Sequence, residues 1–192
     1  MVEPSFTSLS VGDFLDRLAS PAPTPGGGAV AALTGALAAA LGRMACALTL
    51  GKPQFAAVEP QLRQIDARLS RTVLMLSRLV DEDAAAYAEL SAAFKIDRAQ
   101  PTRGEQIAEV AGLAAAVPLE TVAVSRLVLG ELRRLEPVVN PKLRPDVEAG
   151  MHLARAAMQA AAANVRVNLS LLPAEHGRRV AQELDKLLTD SP

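Results

Sequence analysis

The chain has 192 residues, half of them hydrophobic, and its 20 basic and 21 acidic residues leave a net charge of −1. This balance excludes a disordered chain, and the lack of a basic excess argues against nucleic acid as a partner. Only 3% of the residues are aromatic, whereas 37 are Ala, the strongest helix former. We therefore expect a single all-α domain spanning residues 1–192.

Two helices are predicted in the first quarter of the chain. The first begins at Ser10, because a Ser followed three residues later by Asp13 is a capping pattern, and ends near Ser20 before three prolines. The second follows the sequence Thr-Pro-Gly-Gly-Gly at 24–28 and ends at Gly51. Its many small residues predict close contact with other helices.

The second predicted helix is apolar enough to be tested as a membrane span. Between residues 29 and 50 its only charge is Arg43, but Ala and Gly dominate, so its hydrophobic drive is weak. We expect a buried helix and no membrane association. The single cysteine, Cys46, lies in this run and is expected to be a buried apolar side chain. No signal-peptide pattern is visible, and a cytoplasmic location is predicted.

The segment 55–94 is predicted to form one long helix, about 60 Å in length. Apolar residues recur along it at intervals of three and four, and Asp83 falls on this apolar stripe. Its neighbours Asp81 and Glu82 fall off the stripe and are expected to face solvent. The members of the stripe are Leu62, Ile65, Leu69, Val73, Leu76, Val80, Asp83, Tyr87, Leu90 and Phe94.

A loop is predicted at 95–102, followed by a second long helix over 103–134. Pro118 lies inside this helix and is expected to bend or break it, because proline removes a backbone hydrogen bond. Residues 136–145 contain three prolines and are predicted to form a polar turn.

Two more helices complete the expected bundle of long antiparallel helices. The first starts with Pro145 and Asp146, an arrangement that suits a helix N-terminus, and carries Asn164 and Asn168 on one face. Those amides need partners, either a ligand or a neighbouring helix. The last helix follows Pro173 and has an amphipathic pattern.

The glycine run satisfies part of a nucleotide-binding pattern through Gly26, Gly28 and Ala31. No strand precedes it and no Lys-Ser or Lys-Thr pair follows, so the dinucleotide and phosphate-loop interpretations fail. Free amides at a helix start can still hold an anion or a carbonyl group. The alternative interpretation is a sharp turn that permits close helix packing.

Asp83 is the strongest candidate for chemistry. A carboxylate on an apolar stripe needs a partner or a proton, and such a group suits general acid–base catalysis. A structural ion pair is the alternative. His152 and His176 are far apart, and neither has a second ligand at metal-binding spacing, so no metal site is predicted.

Several motifs together resemble the cyclodeaminase domain of formiminotransferase-cyclodeaminase and the related methenyltetrahydrofolate cyclohydrolases. The resemblance runs from about Phe14 to Leu169 and is most specific at Thr-Pro-Gly-Gly-Gly. The later matching segments are DEDAAAY at 81–87, AAAVPLE at 114–120, VVNPKLRPD at 138–146 and ANVRVNL at 163–169.

The resemblance implies an all-α homodimer that acts on the one-carbon bridge of a tetrahydrofolate derivative, with no metal. Its folate site would lie between helices near the subunit interface. It implies that Asp83 performs acid–base work with Asp146 as its polar partner. The residues implied to contact the ligand are Thr24, Gly26, Gly27, Gly28, Arg103, Asn140 and Asn164, and the scarcity of aromatic residues adds Tyr87.

The chain departs from the family pattern in the loop after Phe94, which is shorter. Gln100 stands where the family has a Lys, and Pro145 and Lys142 replace a Ser and an Asn of the later turn. Two hypotheses follow: a folate cyclohydrolase or cyclodeaminase, and a divergent, inactive helical dimer that binds a folate-like ligand or a partner protein.

Overall fold

A computed structural model describes residues 5–189 of the chain. These residues form six α-helices and short 3₁₀ turns, and no strand occurs among them, so the predicted all-α fold is confirmed. The α-helices are α1 (Val11–Leu18), α2 (Gly27–Thr49), α3 (Glu59–Phe94), α4 (Arg103–Leu135), α5 (Arg144–Asn168) and α6 (Ala174–Thr189).

The four long helices α2 to α5 form an antiparallel bundle. Arg43 in the later half of α2 pairs with Asp66 near the start of α3, at 3.0 Å. The later half of α2 therefore lies beside the start of α3, and the two helices run in opposite directions. Across α3 and α4, Arg68 pairs with Glu131 at 2.9 Å in the same reversed sense. Short connections join each pair, as expected for antiparallel neighbours.

Small residues of α2 set how closely the helices approach. A Cβ added to Gly42 would lie 2.5 Å from Leu132 Cδ2 and 2.7 Å from Leu69 Cδ1, closer than real contacts. A Cβ on Gly150 of α5 would lie 3.3 Å from the backbone oxygen of Ala38. Cys46 is fully buried in this packing, as predicted, and burial raises the pKa of its thiol to about 12.

Three details differ from the sequence predictions. Residues Pro53–Val58 form a 3₁₀ turn, so the long helix α3 begins at Glu59 rather than near Phe55. Asp81 is not simply solvated, because it accepts hydrogen bonds from Ser5 Oγ (2.5 Å) and the Phe6 amide (2.8 Å).

The third difference concerns α4. The sequence predicted that Pro118 would bend or break this helix. The helix in fact continues from Arg103 to Leu135 through Pro118 without a break. Pro118 is buried, and Asn168 of α5 donates a hydrogen bond to the carbonyl of Ala114, the carbonyl that the proline leaves unpaired. A side chain from a neighbouring helix thus replaces the missing backbone donor.

Two helices, α2 and α4, are long and apolar enough to cross a membrane by length and composition alone. Of the most apolar 18-residue window, 56% is buried inside the bundle for α2 and 39% for α4. Much of the apolar surface of α2 therefore packs against α3 and α5 within the chain.

Candidate active site

The candidate site lies where the N-terminus of α2 meets the later part of α3. Gly26 is the N-cap, and its carbonyl accepts the first helical hydrogen bond from Val30 N at 3.0 Å. The amides of residues 27–29 precede that bond and have no partner within the helix. One of them, Ala29 N, donates to Asp83 Oδ2 at 2.9 Å.

Gly28 permits this approach of the carboxyl group to the helix. A Cβ on Gly28 would lie 1.9 Å from Asp83 Oδ1, a distance no pair of non-bonded atoms tolerates. A Cβ on the neighbouring Gly27 would lie 3.4 Å from Asn164 Nδ2, an ordinary contact. The glycine run therefore has a definite task at one position, which is to admit the side chain of Asp83.

The environment of Asp83 favours its protonated form. Burial raises the pKa of this carboxyl above its usual value, and the hydrogen bond from Ala29 only partly opposes the effect. Asp83 has no cation beside it among the residues that line its cavity. A carboxyl of raised pKa in a cavity is suited to accept and return a proton, as general acid–base catalysis requires.

Asp83 faces a cavity of about 380 Å³ between α2, α3 and α5. Its walls are mostly apolar, with polar groups confined to Thr24, the glycine run, Asp83, Tyr87 and two asparagines. The lining residues are Pro23, Thr24, Gly26, Gly27, Gly28, Asp83, Ala86, Tyr87, Leu90, Phe94, Ala114, Asn164, Val167, Asn168 and Leu171.

Seven of the ten predicted site residues line this cavity together. They come from three distant parts of the sequence, namely the loop before α2 with the first residues of that helix, the later half of α3 and the end of α5. Tyr87 is 47% exposed and stands at the cavity wall one turn beyond Asp83. These seven are Thr24, Gly26, Gly27, Gly28, Asp83, Tyr87 and Asn164.

Arg103 lies beside the cavity but does not line it. Its Nε donates to the carbonyl of Ile96 at 3.0 Å, and its Nη2 donates to the carbonyl of Phe94 at 3.1 Å. Since Phe94 belongs to the cavity wall, Arg103 holds the end of α3 in place. A direct contact between Arg103 and a ligand stays a prediction.

Asn140 and Asp146 lie at the opposite end of the bundle from Asp83. The backbone amide of Asn140 donates to Thr49 Oγ1 at 3.2 Å, at the C-terminal end of α2. Gly27, at the other end of α2, is 22 residues away, about 33 Å along the helix. Within one chain, neither Asn140 nor Asp146 reaches a ligand bound at Asp83.

Sequence reasoning left several wall residues out of the site. Asn168 shares a helix face with Asn164, so its presence in the cavity was open to prediction from that spacing. Leu171 was expected on the same face, whereas Val167 gave no comparable signal, because apolar residues of this kind are common on any amphipathic helix. Across residues 5–189 no group of three or more His, Cys, Asp or Glu is placed to hold a metal ion.

The described residues thus form an all-α bundle in which the Asp83 carboxyl faces a cavity and accepts a hydrogen bond from a helix N-terminus. Comparisons with known proteins identify the family. A family model described as formiminotransferase-cyclodeaminase matches residues 10–186. The chain belongs to this family.

Among solved structures, the chain is similar to formiminotetrahydrofolate cyclodeaminase from Thermotoga maritima, determined at 2.80 Å resolution. The two are 30% identical and superpose with a TM-score of 0.87, covering 95% of this chain and 89% of the other. A comparison with curated proteins gave no match. Fold and family therefore rest on both the sequence pattern and the backbone.

Proposed function

We propose that this protein is an enzyme acting on the one-carbon bridge of a tetrahydrofolate derivative. The two candidate reactions are hydrolysis of methenyltetrahydrofolate and deamination of formiminotetrahydrofolate. Family membership and the similarity to a cyclodeaminase support the substrate class. The observation that carries the proposal is Asp83, a carboxyl of raised pKa that accepts a hydrogen bond from the first turn of α2 inside a cavity.

The charge of the cavity suits both candidate substrates. In methenyltetrahydrofolate and in formiminotetrahydrofolate the one-carbon group is an amidinium-type cation. The cavity lining contains no Lys, Arg or His, so ionised Asp83 would be the counter-charge to such a cation. A bound cation would in turn favour the ionised form of Asp83 and prepare it to act as a base.

In the proposed hydrolysis, water attacks the bridge carbon while the Asp83 carboxylate takes a proton from that water. A neutral tetrahedral adduct forms. The bond from carbon to N5 then breaks, N5 receives the proton from Asp83, and the adduct hydroxyl releases its own proton to give the formyl group. The net products are 10-formyltetrahydrofolate and one proton, so the charge balances.

In the proposed deamination, N10 attacks the formimino carbon and loses its proton to Asp83. The same proton passes to the departing nitrogen, the carbon–nitrogen bond breaks, and ammonia leaves. The methenyl cation remains. Both reactions thus use Asp83 as a proton shuttle, a role worth about 10²–10⁴-fold in rate. Neither scheme uses a metal ion.

The remaining polar groups of the cavity would orient the ligand. The free amides of Gly27 and Gly28 offer donors to an electron-rich edge of the ligand. Asn164 donates one N–H to the carbonyl of Ala160 at 2.9 Å, which leaves a donor and an acceptor for the ligand. Tyr87 supplies an aromatic face beside Asp83.

The proposal is tested by mixing purified protein with each substrate in turn. Loss of the methenyl chromophore would indicate hydrolysis, and its appearance from formiminotetrahydrofolate would indicate deamination. Asp83→Asn, which keeps the shape of the side chain, is expected to lower kcat about 10²–10⁴-fold. Folate binding without turnover by the wild-type protein would favour the inactive-binder hypothesis. No binding at all would overturn the proposed substrate class.

We also propose that the protein is a homodimer whose interface is the outer face of α2 and the adjacent flank of α5. The exposed side chains of α2 are apolar, including Leu37 (52% exposed), Met44 (38%) and Leu48 (49%), and its one charge, Arg43, pairs with α3. On α5, which packs against α2, a row of exposed alanines includes Ala156, Ala160 and Ala163. An apolar face whose one charged side chain is paired within the chain is typical of an interface.

A two-fold axis through this face and perpendicular to α2, which we include in the proposal, would run the α2 helices of the two copies in opposite directions. The C-terminal end of one α2 would then lie near the N-terminal end of the other. Asn140 and Asp146 of the partner subunit would thereby approach the cavity that holds Asp83. This arrangement explains how residues from opposite ends of the bundle would serve one site.

The shared site has a direct test. Asp83→Asn and Asp146→Asn variants, each inactive alone, are mixed under conditions that exchange subunits. Random exchange makes about half of the dimers heterodimers, and each heterodimer has one intact site of its two, so about a quarter of the wild-type activity returns. No recovery, together with demonstrated exchange, would contradict a shared site. Leu37→Glu is expected to yield monomers in sedimentation, and an unchanged dimer would place the interface elsewhere.

A cytoplasmic location stays a prediction.

A further inference from the structure

Pro118 leaves an unpaired carbonyl beside the cavity. A helical carbonyl accepts a bond from the amide four residues later, and Pro118 has no amide proton to give to Ala114. Ala114 is only 8% exposed and lines the cavity, so its unsatisfied oxygen would be costly. Asn168 supplies the donor from α5, with its Nδ2 at 2.8 Å from the Ala114 oxygen.

This contact fixes the orientation of the Asn168 amide. Its Nδ2 also donates to the carbonyl of Asn164 at 3.1 Å. Both neighbours are carbonyl oxygens, which only accept, so the NH₂ group must face them and both of its protons are used. The side-chain oxygen of Asn168 is left over for other partners. Among the described residues, it does not belong to the buried side-chain polar atoms that lack a hydrogen-bond partner. The group that Asn168 has left for a ligand in the cavity is therefore its amide oxygen, an acceptor.

We propose that Asn168 is a specificity-determining residue whose amide oxygen accepts a hydrogen bond from an N–H group on the heterocycle of the bound ligand. Pro118 is then a positioning residue, because it frees the Ala114 carbonyl that holds the amide. The identity of the ligand rests on the proposed function, and a reduced pterin ring carries N–H groups along its edge. A ring with only acceptors on that edge would be rejected.

The link between Pro118 and Asn168 is tested by thermal unfolding, without any ligand. Asn168→Ala leaves the Ala114 carbonyl unpaired, and we expect Tm to fall by about 2–8 °C. In the Pro118→Ala background the helix supplies the donor itself, so the same Asn168→Ala change is expected to cost clearly less. An equal loss of Tm in both backgrounds would overturn the link. Asn168→Asp, which fills the same space but cannot donate, should destabilise like Asn168→Ala.

The contact with the ligand is tested by calorimetric titration with 5-formyltetrahydrofolate, a stable reduced folate. Asn168→Ala is expected to weaken binding about 5–30-fold. Pro118→Ala is expected to weaken binding less, while it leaves Tm unchanged or raises it, since it removes a helix-interior proline. A loss of affinity without a loss of stability is not what a purely structural role produces. Val117→Ala, a neighbouring change on α4 outside the cavity lining, is the control and should bind like wild type.

The outcomes separate this inference from the proposed function. Wild-type affinity in Asn168→Ala would overturn the ligand contact even if the enzyme is active. In steady-state assays the contact predicts a rise in KM with a smaller change in kcat, in contrast to Asp83→Asn. If the wild-type protein binds no reduced folate, the proposed function and the ligand contact both fail, and the Tm cycle still decides the link to Pro118.

Discussion

Gly28→Ala is the sharpest perturbation that the site offers. The backbone of Gly28 does not have a positive φ, so alanine is compatible with the helix and the effect comes from the added methyl alone. That Cβ would lie 1.9 Å from Asp83 Oδ1, about 1.5 Å short of an ordinary 3.4 Å contact. The carboxyl must move by roughly that amount.

A displacement of this size would break the 2.9 Å hydrogen bond from Ala29 N to Asp83, a bond worth about 0.5–1.5 kcal/mol. A misplacement of about 1 Å can also cost roughly 10²-fold in rate, since proton transfer needs hydrogen-bond geometry. We therefore expect Gly28→Ala to lower kcat/KM by about 10²-fold or more. The assay follows the methenyl chromophore under conditions where the wild-type protein is active.

Gly27→Ala is the matched control for this change. It adds the same methyl one residue earlier, where the nearest side-chain atom, Asn164 Nδ2, is 3.4 Å away. The control should lose clearly less kcat/KM than Gly28→Ala, because its methyl group leaves Asp83 in place, and circular dichroism should show both variants folded. If Gly28→Ala retains wild-type kcat/KM, or if both variants lose activity equally, the geometric account of Asp83 is refuted.

Three further predictions concern stability and reactivity. Because the pKa of Asp83 is raised in the folded state, wild-type stability should decline as pH rises from the usual carboxyl pKa through the raised one. Asp83→Asn removes this decline, so the Tm of the variant relative to wild type should increase over that pH range. A Tm difference that does not change with pH would contradict the raised pKa. Gly42→Ala would place a Cβ 2.5 Å from the buried Leu132 and should cost about 1–3 kcal/mol by overpacking. By contrast, Gly130→Ala meets no neighbouring atom within 4 Å and should stabilise by up to ~1 kcal/mol, so equal Tm values would be evidence against the packing argument. The Cys46 thiol, with a pKa of about 12 and no exposure, should react with a thiol reagent at pH 8 only on unfolding, and rapid labelling of the native protein would contradict its burial.

The sequence was sufficient for the helices and for the position of Asp83 on the apolar stripe of α3. Apolar spacing of three and four residues is a local property of a helix, so the stripe on α3 and the carboxyl within it were visible without the fold. The bond between Asp83 and Ala29 joins residues 54 positions apart, and no periodicity encodes it. The same limit applies to Asp146, whose grouping with Asp83 came from family resemblance. Their separation along the bundle appears only once the helices are packed.

Pro118 shows a different limit of local reasoning. A proline inside a helix predicts a break because it removes one donor, and that cost is real. The cost is met in this fold by Asn168, a residue 54 positions beyond Ala114, whose own need for acceptors was equally visible in the sequence. Considered alone, Pro118 leaves a carbonyl without a donor, and Asn168 carries an amide without an acceptor. The packing of α4 against α5 pairs these two groups in one hydrogen bond.

The placement of Asp83 has a consequence for the proposed chemistry. Burial favours the protonated carboxyl, whereas the helix N-terminus and the Ala29 amide favour the charged one, so the balance is sensitive to any new charge nearby. A cationic substrate shifts Asp83 toward the carboxylate, the form that can remove a proton from water. In the proposed hydrolysis the cation is then lost as the neutral adduct forms, and the apolar cavity again favours the protonated carboxyl. The proton affinity of the group would therefore follow the charge of the ligand, and this lets one side chain serve as base and then as acid. A substrate analogue without the positive charge should accordingly raise the apparent pKa of Asp83 on binding, measurable by proton uptake in two buffers of different ionisation enthalpy. Proton release with that analogue would refute this account.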